Sequence, residues 1–358
     1  MTSIAKPPVR HPSLQANALG LTRRDYEGAM STLCAGCGHD SVTAALVQAF
    51  WELDVVPHRA AKLSGIGCSS KTTAYFLKQA HGFNSVHGRM PSIASGANAA
   101  NRALTYVGIS GDGDSLSIGL GQLCHVIRRN VNMLYVLENN GVYGLTKGQF
   151  SASADVGSKS KRGEANLQAP IDPVLLALGL GATFVARSFS GDKTELVPIL
   201  KAGLAHDGFA LVDVISPCVT FNDHEGSTKS YRHTRAHRHA VAPVDFVPLR
   251  HEITAAPADR AAGGAARGAT AVTMHDGSVV RFRPTGEGYD PTDRDAAYAH
   301  VRRLQGQGEV ATGLLYLEEG GADMHALLGT VAEPLVDLPY EQLCPGNAAL
   351  DELQREFR

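Results

Sequence analysis

Long apolar runs are absent from this sequence. No window reaches the ~18 apolar residues that a membrane-spanning helix needs. The opening stretch, MTSIAKPPVRHPSLQANALG, also contains no apolar segment of signal-peptide length. We therefore expect a cytoplasmic protein without a membrane partner.

An excess of charge of either sign is absent as well. The formal net charge is −2 at pH 7, and charged residues make up 19% of the chain. Such a balance does not favour nucleic acid or an anionic membrane as a partner. The 358 residues, 44% of them hydrophobic, are enough for one large domain with an extension or for two domains.

Cysteines are few, and two of them stand close together in STLCAGCGHDSV at residues 31–42. In a cytosolic chain, cysteines are more often metal ligands, catalytic thiols or small buried hydrophobes than disulfide partners. A Cys-x-x-Cys pair is compatible with a redox disulfide, half of a zinc site or half of an iron-sulfur ligand set. Cys34 and Cys37 alone do not choose between these.

Apolar runs alternate with helix-like stretches up to about residue 240. Four of these runs predict strands, at residues 106–110, 133–138, 182–189 and 210–216. Helical spacing of apolar residues occurs between them, at 115–129 and 194–206. The pattern predicts an α/β fold, a parallel sheet with helices on both faces, whose ligand sites lie at the strand ends.

The ends of the chain differ in composition from this central part. We expect an N-terminal arm over residues 1–28, a cofactor-binding domain over 29–240 and a C-terminal extension over 241–358 that makes subunit contacts. The extension contains an Ala/Gly-rich stretch, a predicted hairpin around Asp276-Gly277 and a predicted helix over 293–305.

Two glycine-rich motifs follow neighbouring predicted strands. GDGDSLSIGLGQL begins at Gly111, and ENNGVYGLTKGQ begins at Glu138. Glycines let a backbone approach a diphosphate, the following helix offers free N–H groups, and Asp and Asn oxygens are suitable ligands for Mg²⁺. The pair of motifs therefore predicts a site for a diphosphate and its divalent ion.

This pair resembles the diphosphate-binding motif of thiamine diphosphate enzymes. The resemblance implies that Asp112 and Asn140 bind Mg²⁺ through side-chain oxygens and Val142 through its backbone carbonyl. It also implies a group of residues that line the diphosphate: Gly111, Gly113, Asp114, Gly144 and Leu145.

Four cysteines lie at the ends of predicted elements: Cys34, Cys37, Cys68 and Cys218. Four thiolates can hold zinc or a 4Fe-4S cluster, and the sequence geometry does not separate the two. The thiamine motif favours the cluster, because oxidation after the decarboxylation of a 2-oxoacid requires an electron acceptor.

The order of the motifs resembles the β subunit of 2-oxoacid:ferredoxin oxidoreductases. CAGCG, GIGCSS, HGRMPSIASGANAAN, GDGDSLSIGLGQL, ENNGVYGLTKGQ and SPCVTFND carry the resemblance between residues 30 and 225. It implies that the four cysteines are ligands of one 4Fe-4S cluster. One departure is LCAGC, which lacks the Trp and Pro that the family usually has around the first two cysteines.

Further site residues are implied by the same resemblance. Ile66, Gly67 and Ser69, beside Cys68, would face the thiamine, and His87 would contact the cofactor. Lys147, just past Val142, would bind a substrate carboxylate. Lys71 is expected to pair with an acid of a partner subunit.

The tail motifs HDGSVVRFR, YDPTDRDAAY, VATGLLYLEE and LCPGNAAL resemble the 2-oxoglutarate type of the family. The implied reaction converts 2-oxoglutarate and coenzyme A to succinyl-CoA and CO₂ and reduces ferredoxin. The implied partner is an alpha subunit, or a fused gamma-alpha subunit, in an α₂β₂ assembly. The cofactors are thiamine diphosphate, Mg²⁺ and the 4Fe-4S cluster.

Three alternatives remain at this point. One is an enzyme specific for pyruvate or for 2-oxoacids in general. Another is a non-oxidative thiamine diphosphate decarboxylase whose cysteines bind structural zinc. The last is a non-catalytic electron-transfer or scaffold subunit, which the presence of both Asp112 and Asn140 disfavours.

Other cysteines and histidines receive no functional role. Cys124 lies in a predicted helix and Cys344 in the tail, and we expect both to be structural. The irregularly spaced histidines of one basic stretch fit a solvated loop or a subunit contact: His224, His233, His237 and His239.

Overall fold

The fold was analysed in a computed structural model of the chain. It describes residues 13–160, 162–241, 244–247, 270–273, 279–282, 289–318, 320–344 and 346–357. The strands are β1 (Ala60–Ser64), β2 (His81–Asn84), β3 (Thr105–Gly111), β4 (Met133–Asn139), β5 (Val142–Tyr143), β6 (Gln149–Phe150), β7 (Phe184–Phe189), β8 (Phe209–Ile215), β9 (Arg238–Ala240), β10 (Val244–Val247), β11 (Thr270–Thr273), β12 (Val279–Phe282) and β13 (Val310–Leu317). The α-helices are α1 (Gly38–Glu52), α2 (Thr72–Tyr75), α3 (Met90–Ala100), α4 (Leu120–Arg128), α5 (Pro173–Gly179), α6 (Lys193–Ala205), α7 (Tyr231–His237), α8 (Arg294–Gly306), α9 (Met324–Leu328), α10 (Tyr340–Leu343) and α11 (Asn347–Arg355).

The main sheet has the strand order β2-β1-β3-β4-β8-β7-β13-β9. Neighbouring strands are parallel except for β13, which runs antiparallel to β7. The carboxyl ends of β1, β3, β4 and β8 therefore lie side by side at one edge, and β1 was not among the strands that the apolar runs predicted.

Helices cover both faces of this sheet because its strands alternate between two apolar sides. In β4, Leu134 and Val136 contribute to the core on the side of α1 and α6. Met133, Tyr135 and Leu137 contribute to the core on the side of α3, α4, α5 and α8. This two-residue alternation is the periodicity of a strand that is buried on both faces.

The four strands predicted from apolar runs are confirmed as β3, β4, β7 and β8. The predicted helices over 194–206 and 293–305 are confirmed as α6 and α8. The predicted helix over 115–129 is divided, because residues 113–118 form a turn with π-type hydrogen bonds before α4 begins at Leu120.

The helix that follows Cys68, α2, is short. It ends at Tyr75 because Phe76 adopts an extended conformation, with φ −134° and ψ 161°. The buried ammonium group of Lys62 donates to the carbonyl oxygens of Thr73, Phe76 and Leu77 at 2.7–2.9 Å. These bonds satisfy carbonyl groups that a continuing helix would have bonded internally.

The C-terminal part adds a strand to the main sheet. β13 pairs with β7, and β9 pairs with β13, so residues on both sides of position 240 share one sheet. The predicted hairpin is supported by the antiparallel pairing of β11 with β12, while its turn lies outside the described residues. The three-part division of the chain stays a prediction.

The arm at the N-terminus is described from residue 13 onward. Tyr26 is buried, and the side-chain amide of Asn17 donates to its hydroxyl at 2.8 Å. Within the described ranges, no helix is both long and apolar enough to cross a membrane. The cytoplasmic location stays a prediction.

Candidate functional site

A cavity of about 90 Å³ opens at the carboxyl ends of β1, β3 and β4. Its lining includes every residue that the sequence predicted to bind the diphosphate, its ion or the thiamine: Ile66, Gly67, Cys68, Ser69, His87, Gly111, Asp112, Gly113, Asp114, Asn140, Val142, Gly144 and Leu145. Three further residues also line it: His39, Tyr143 and Thr146. The structure therefore brings the two glycine-rich motifs together as the sequence predicted.

Asp112 and Asn140 lie next to each other in this cavity. The backbone N–H of Asn140 points to Oδ1 of Asp112 at 3.4 Å, and that of Gly141 donates to Oδ2 at 3.0 Å. Asp112 is 1% exposed. Two buried oxygen-bearing side chains beside a glycine-rich turn form a donor set that fits Mg²⁺ with a diphosphate.

Asn140 is held by its own loop. Its Oδ1 accepts from the backbone N–H of Val142 at 3.0 Å, and its carbonyl oxygen accepts from Asn222 Nδ2 at 2.8 Å. Its side-chain nitrogen lies 3.5 Å from Nε2 of His39. These contacts keep the amide oxygen on the side of Val142, the predicted backbone ligand.

Asp114 lines the cavity, but its oxygens are occupied by the protein. Oδ1 accepts from the backbone N–H of Gly88 at 2.8 Å, from that of Ile66 at 3.2 Å and from the His87 ring. Oδ2 accepts from the Ser110 hydroxyl at 2.7 Å. A carboxylate would also repel a diphosphate. The contacts of Asp114 therefore indicate that it connects three loops and does not bind the phosphates directly.

His87 lies between Asp114 and Tyr143. Its Nδ1 bonds the Asp114 carboxylate, and its ring meets that of Tyr143 edge to face, with centroids 6.1 Å apart. The Tyr143 hydroxyl donates to the carbonyl of Gly113 at 2.9 Å, and burial raises the pKa of this phenol. The imidazole is therefore fixed at the rim of the cavity, with 30% of its side chain exposed.

The four predicted cluster ligands come from three loops, and one of them, Cys68, also lines this cavity. A Cβ atom placed on Gly144 would lie 3.5 Å from the sulfur atoms of both Cys68 and Cys218. The Thr220 hydroxyl, near Cys218 in sequence, lies 3.5 Å from the sulfur of Cys34. Gly38, next to Cys37, donates its N–H to the carbonyl of Pro217 at 3.2 Å.

The electrostatics of these thiols also indicate one group. Burial is the main cause that raises the pKa of Cys37 to about 12, and the nearby Cys218 and Cys68 contribute to this rise. Burial likewise raises the pKa values of Cys68 and Cys218, and each is raised in addition by Cys34. All six cysteines of the chain are free.

The spacing of the thiols differs from that of a single-ion site. In the described part of the chain, no three His, Cys, Asp or Glu side chains are grouped so that they could hold one metal ion. A tetrahedral zinc site requires sulfurs about 4 Å apart, since Zn–S bonds are about 2.3 Å. The thiols of the described residues do not form such a single-ion group.

A buried polar network that the sequence did not predict lies between the cysteine loops and Asn140, a predicted magnesium ligand. Nδ1 of His39 lies 2.6 Å from the Ser216 hydroxyl and 3.5 Å from Oε2 of Glu138. Thr72 donates to Glu138 at 3.1 Å. Burial lowers the pKa of His39 to about 4 and raises that of Glu138 well above its ordinary value.

This network could have been suspected from two signals. His39 follows CAGCG directly, and Glu138 begins the ENNG motif. Glu138 follows five largely apolar residues in the fully buried strand β4, where a charged residue is unusual. Neither signal identifies the partner, because Ser216 and Thr72 are distant in sequence.

Lys147 lies outside the small cavity. It lines a neighbouring cavity of about 1,060 Å³, and Thr146 lines both. Its backbone has φ +77°, a left-handed conformation that costs a non-glycine residue about 1–3 kcal/mol. Its role in binding substrate stays a prediction, as do the other residue assignments.

The remaining cysteines and histidines do not join the site. Cys124 is half-buried in α4, whereas Cys344 is exposed, which differs from the expected structural position. His233 and His237 stack with centroids 4.0 Å apart on α7.

Comparison with known proteins identifies the central part of the chain. Residues 65–214 match the family described as thiamine pyrophosphate enzyme, C-terminal TPP binding domain. The match contains the loops after β1, β3 and β4. The chain therefore contains a thiamine diphosphate-binding domain, and the fold class expected from the sequence is confirmed.

A named relative decides the family. The 2-oxoacid:ferredoxin oxidoreductase subunit beta of Saccharolobus solfataricus is 40% identical over 206 residues, which are 57% of this chain and 67% of that protein. This chain belongs to the 2-oxoacid:ferredoxin oxidoreductase β subunits. The resemblance inferred from its motifs is thus confirmed, and the family is one of oxidoreductases.

Other relatives of the β subunit carry more specific names. The 2-oxoglutarate oxidoreductase subunit KorB of Mycobacterium tuberculosis is 42% identical over 191 residues, 53% of this chain and 51% of that protein. The match thus spans about half the length of that relative. A solved 2-oxoglutarate:ferredoxin oxidoreductase from Magnetococcus marinus, with 2-oxoglutarate, coenzyme A and succinyl-CoA bound, superposes with a TM-score of 0.71 at 28% identity, over 92% of this chain and 98% of that chain.

Proposed function

We propose that this β subunit works in an enzyme that oxidatively decarboxylates 2-oxoglutarate with coenzyme A to succinyl-CoA and CO₂ and reduces ferredoxin through a 4Fe-4S cluster. The observation that carries the proposal is the contact between two sites: Cys68 belongs to the four-thiol group and also lines the cavity of the diphosphate motifs. Thiamine diphosphate would supply the carbanion chemistry and the cluster the one-electron transfer.

The magnesium ion would be held by Asp112 and Asn140 through side-chain oxygens and by Val142 through its carbonyl. Their positions after β3 and β4 support this assignment, since both strands end at the cavity. The neighbouring Gly111, Gly113 and the loop to Leu145 would let the diphosphate approach the backbone.

The cluster would be held by Cys34, Cys37, Cys68 and Cys218. Cys34 is exposed, whereas Cys37 is buried. This difference in exposure supports an electron path through the cluster. Electrons would enter the cluster beside the thiamine at Cys68 and leave it toward a docked ferredoxin near Cys34. Electron transfer of this kind needs short distances but no covalent contact between the two cofactors.

A partner subunit is supported by the shape and the rim of the cavity. Its volume of about 90 Å³ is far below the ~300–1,000 Å³ of common small-molecule sites, so much of the cofactor would extend beyond it. The exposed apolar side chain of Leu145 lines the cavity, and the exposed Val86 directly precedes His87, which lines it as well. An alpha subunit covering this rim, in an α₂β₂ assembly, would complete the site.

The substrate assignment rests on two kinds of support. The names of the Mycobacterium and Magnetococcus proteins specify 2-oxoglutarate. Lys147, held in the larger cavity that adjoins the cofactor cavity at Thr146, offers a cation for a substrate carboxylate.

The test is a substrate screen on the complex of this chain with its alpha subunit. Thiamine diphosphate, magnesium, iron and sulfide are quantified first, and 2-oxoacids are then supplied with coenzyme A and a one-electron acceptor. We expect succinyl-CoA formation from 2-oxoglutarate to be faster than acyl-CoA formation from pyruvate. Faster turnover of pyruvate would contradict the substrate assignment, and decarboxylation without acceptor reduction would contradict the oxidative reaction.

A further inference from the structure

We propose that Ser151 and Ser153 are positioning residues that fix one oxygen of Asp112 and leave its other oxygen to bind magnesium. The inference rests on the proposed magnesium site and extends it to residues outside both glycine-rich motifs. Both serines lie just after β6 and are buried, with 6% and 2% of their surfaces exposed.

The hydrogen bonds to Asp112 are unequally divided between its two oxygens. Oδ2 accepts from the Ser153 hydroxyl at 2.6 Å, from the Ser151 hydroxyl and from the backbone N–H of Gly141 at 3.0 Å. Oδ1 accepts only the long 3.4 Å bond from the backbone of Asn140 among the described residues. Oδ2 is therefore saturated, and Oδ1 keeps a free lone pair.

This inequality has a consequence for metal binding. A carboxylate whose two oxygens are equally free can rotate or bind an ion through both of them. Three donors on Oδ2 oppose rotation and favour binding of Mg²⁺ through Oδ1 alone, beside the Asn140 side chain. Residues that orient a metal ligand in this way typically change metal affinity about 10- to 100-fold when they are replaced.

Ser153 also lies against the central sheet. The Ser153 oxygen lies 2.9 Å from Oδ1 of Asn139, whose Nδ2 donates to Oδ1 of Asp213 at 3.0 Å. Asp213 Oδ2 in turn accepts from Nε of Arg187 at 2.7 Å. Ser153 therefore lies where polar side chains of β7, β8 and the end of β4 approach Asp112, and its single hydroxyl proton is donated to Asp112 in the proposed arrangement.

The test measures binding of Mn²⁺, a spectroscopic substitute for Mg²⁺, to the complex with the alpha subunit in saturating thiamine diphosphate. Electron paramagnetic resonance of free Mn²⁺ gives the dissociation constant without any activity measurement. The variants are Ser151→Ala, Ser153→Ala, Ser153→Thr and Asp112→Ala. Ser158→Ala is the matched control, because no hydrogen bond joins Ser158 to Asp112 within the described segments.

We expect each serine-to-alanine variant to bind Mn²⁺ about 10- to 100-fold more weakly, and Ser153→Thr, which keeps the hydroxyl, to remain within about threefold of wild type. Unchanged affinity in both alanine variants, with a loss in Asp112→Ala, would overturn the role of the serines and leave the magnesium site intact. Unchanged affinity in Asp112→Ala would overturn the magnesium site itself. If an alanine variant does not fold, as judged by circular dichroism, Ser153→Val against Ser153→Thr repeats the comparison at constant side-chain shape, and equal affinities there would overturn the inference.

Discussion

Nδ1 of His39 lies 2.6 Å from the hydroxyl oxygen of Ser216. His39 follows Cys37 closely in α1, and Ser216 precedes Cys218 after β8, so this contact joins two loops of the proposed cluster site. The other ring nitrogen faces the side chain of Asn140. The imidazole of His39 thus contacts both a loop of the proposed cluster site and Asn140, a proposed magnesium ligand. The proposed cluster site and the proposed magnesium site are therefore adjacent.

Replacement of Cys218 by Ser should remove a cluster ligand. We expect iron and acid-labile sulfide in the purified complex to fall to a small fraction of the wild-type content, because the remaining three thiols leave one iron without its ligand. Cys124→Ser, in the half-buried position on α4, is the control and should retain its iron. Wild-type iron content in Cys218→Ser would refute the ligand set.

Replacement of Gly65 by Ala should disrupt the loops around the thiamine. A Cβ atom at this position would lie 1.7 Å from Oδ2 of Asp114, so the carboxylate must move and release Ile66, Gly88 and His87. We expect a loss of about 2–4 kcal/mol in the free energy of unfolding, together with weaker thiamine diphosphate binding. Calorimetric titration with the cofactor and denaturant unfolding would measure both.

Gly82→Ala is the matched control for this substitution. A Cβ atom on Gly82, in the exposed strand β2, would meet no heavy atom within 4 Å. We expect its free energy of unfolding to change by no more than about 0.5 kcal/mol. A similar effect of the two substitutions would mean that Asp114 does not organise the loops.

The buried pair of Glu138 and His39 predicts a specific dependence of stability on pH. Burial raises the pKa of Glu138 well above 4.5 and lowers that of His39 from 6.5 to about 4, so the folded pair holds one proton, on the glutamate. Between about pH 4.5 and 6.5 the unfolded pair also holds one proton, on the histidine. Folded and unfolded states then bind the same number of protons at this pair, so the pair does not change stability with pH in this range. Above about pH 6.5 the unfolded pair loses its proton, so stability falls as pH rises over the range in which the folded Glu138 stays protonated.

Glu138→Gln should reverse this dependence. Only His39 then titrates, its folded pKa is the lower one, and its contribution is lost as pH falls below about 6.5. The check is the melting temperature of both proteins at about pH 5.5, 6.5 and 8. Parallel curves for wild type and variant would show that the pair is not in the proposed protonation state.

The diphosphate site could be predicted from the sequence because its residues cluster in two short motifs after consecutive strands. Asp112 and Asn140 are far apart in the chain, but they follow the parallel neighbouring strands β3 and β4, whose carboxyl ends lie at the same edge of the sheet. The role of Asp114 as a holder of loops could not be predicted, since its partners at Ile66, His87 and Gly88 belong to other loops. Ser151 and Ser153 were missed for a similar reason, because common polar residues after a short hairpin carry no distinctive pattern.

The sheet was predicted in part. The strands β3, β4, β7 and β8 are apolar runs of ordinary length, and their periodicity is local. The insertion of β13 beside β7, antiparallel to it, depends on pairing over more than one hundred residues and leaves no local signal. The carbonyl groups at the end of α2 accept hydrogen bonds from the ammonium group of Lys62 in β1. The helical periodicity of the sequence does not reveal this contact.

This chain without its alpha subunit should not decarboxylate a 2-oxoacid. The cavity is too small to enclose the cofactor, and the apolar side chain of Leu145, which lines it, is exposed. We expect the isolated chain to bind thiamine diphosphate more weakly than the complex and to release no CO₂ from 2-oxoglutarate. Release of labelled CO₂ at the rate of the complex would show that the described part of the chain completes the site without a partner.

The most direct test of the central claim follows the electrons themselves. The anaerobic complex of this chain with its alpha subunit is mixed with 2-oxoglutarate and coenzyme A, without ferredoxin, and frozen for electron paramagnetic resonance. The account predicts a reduced 4Fe-4S signal in the wild type, and no such signal when Cys68, which lines the cofactor cavity, is replaced by Ser. A substrate-dependent signal of wild-type intensity in Cys68→Ser, or formation of succinyl-CoA by wild type without any such signal, would contradict it.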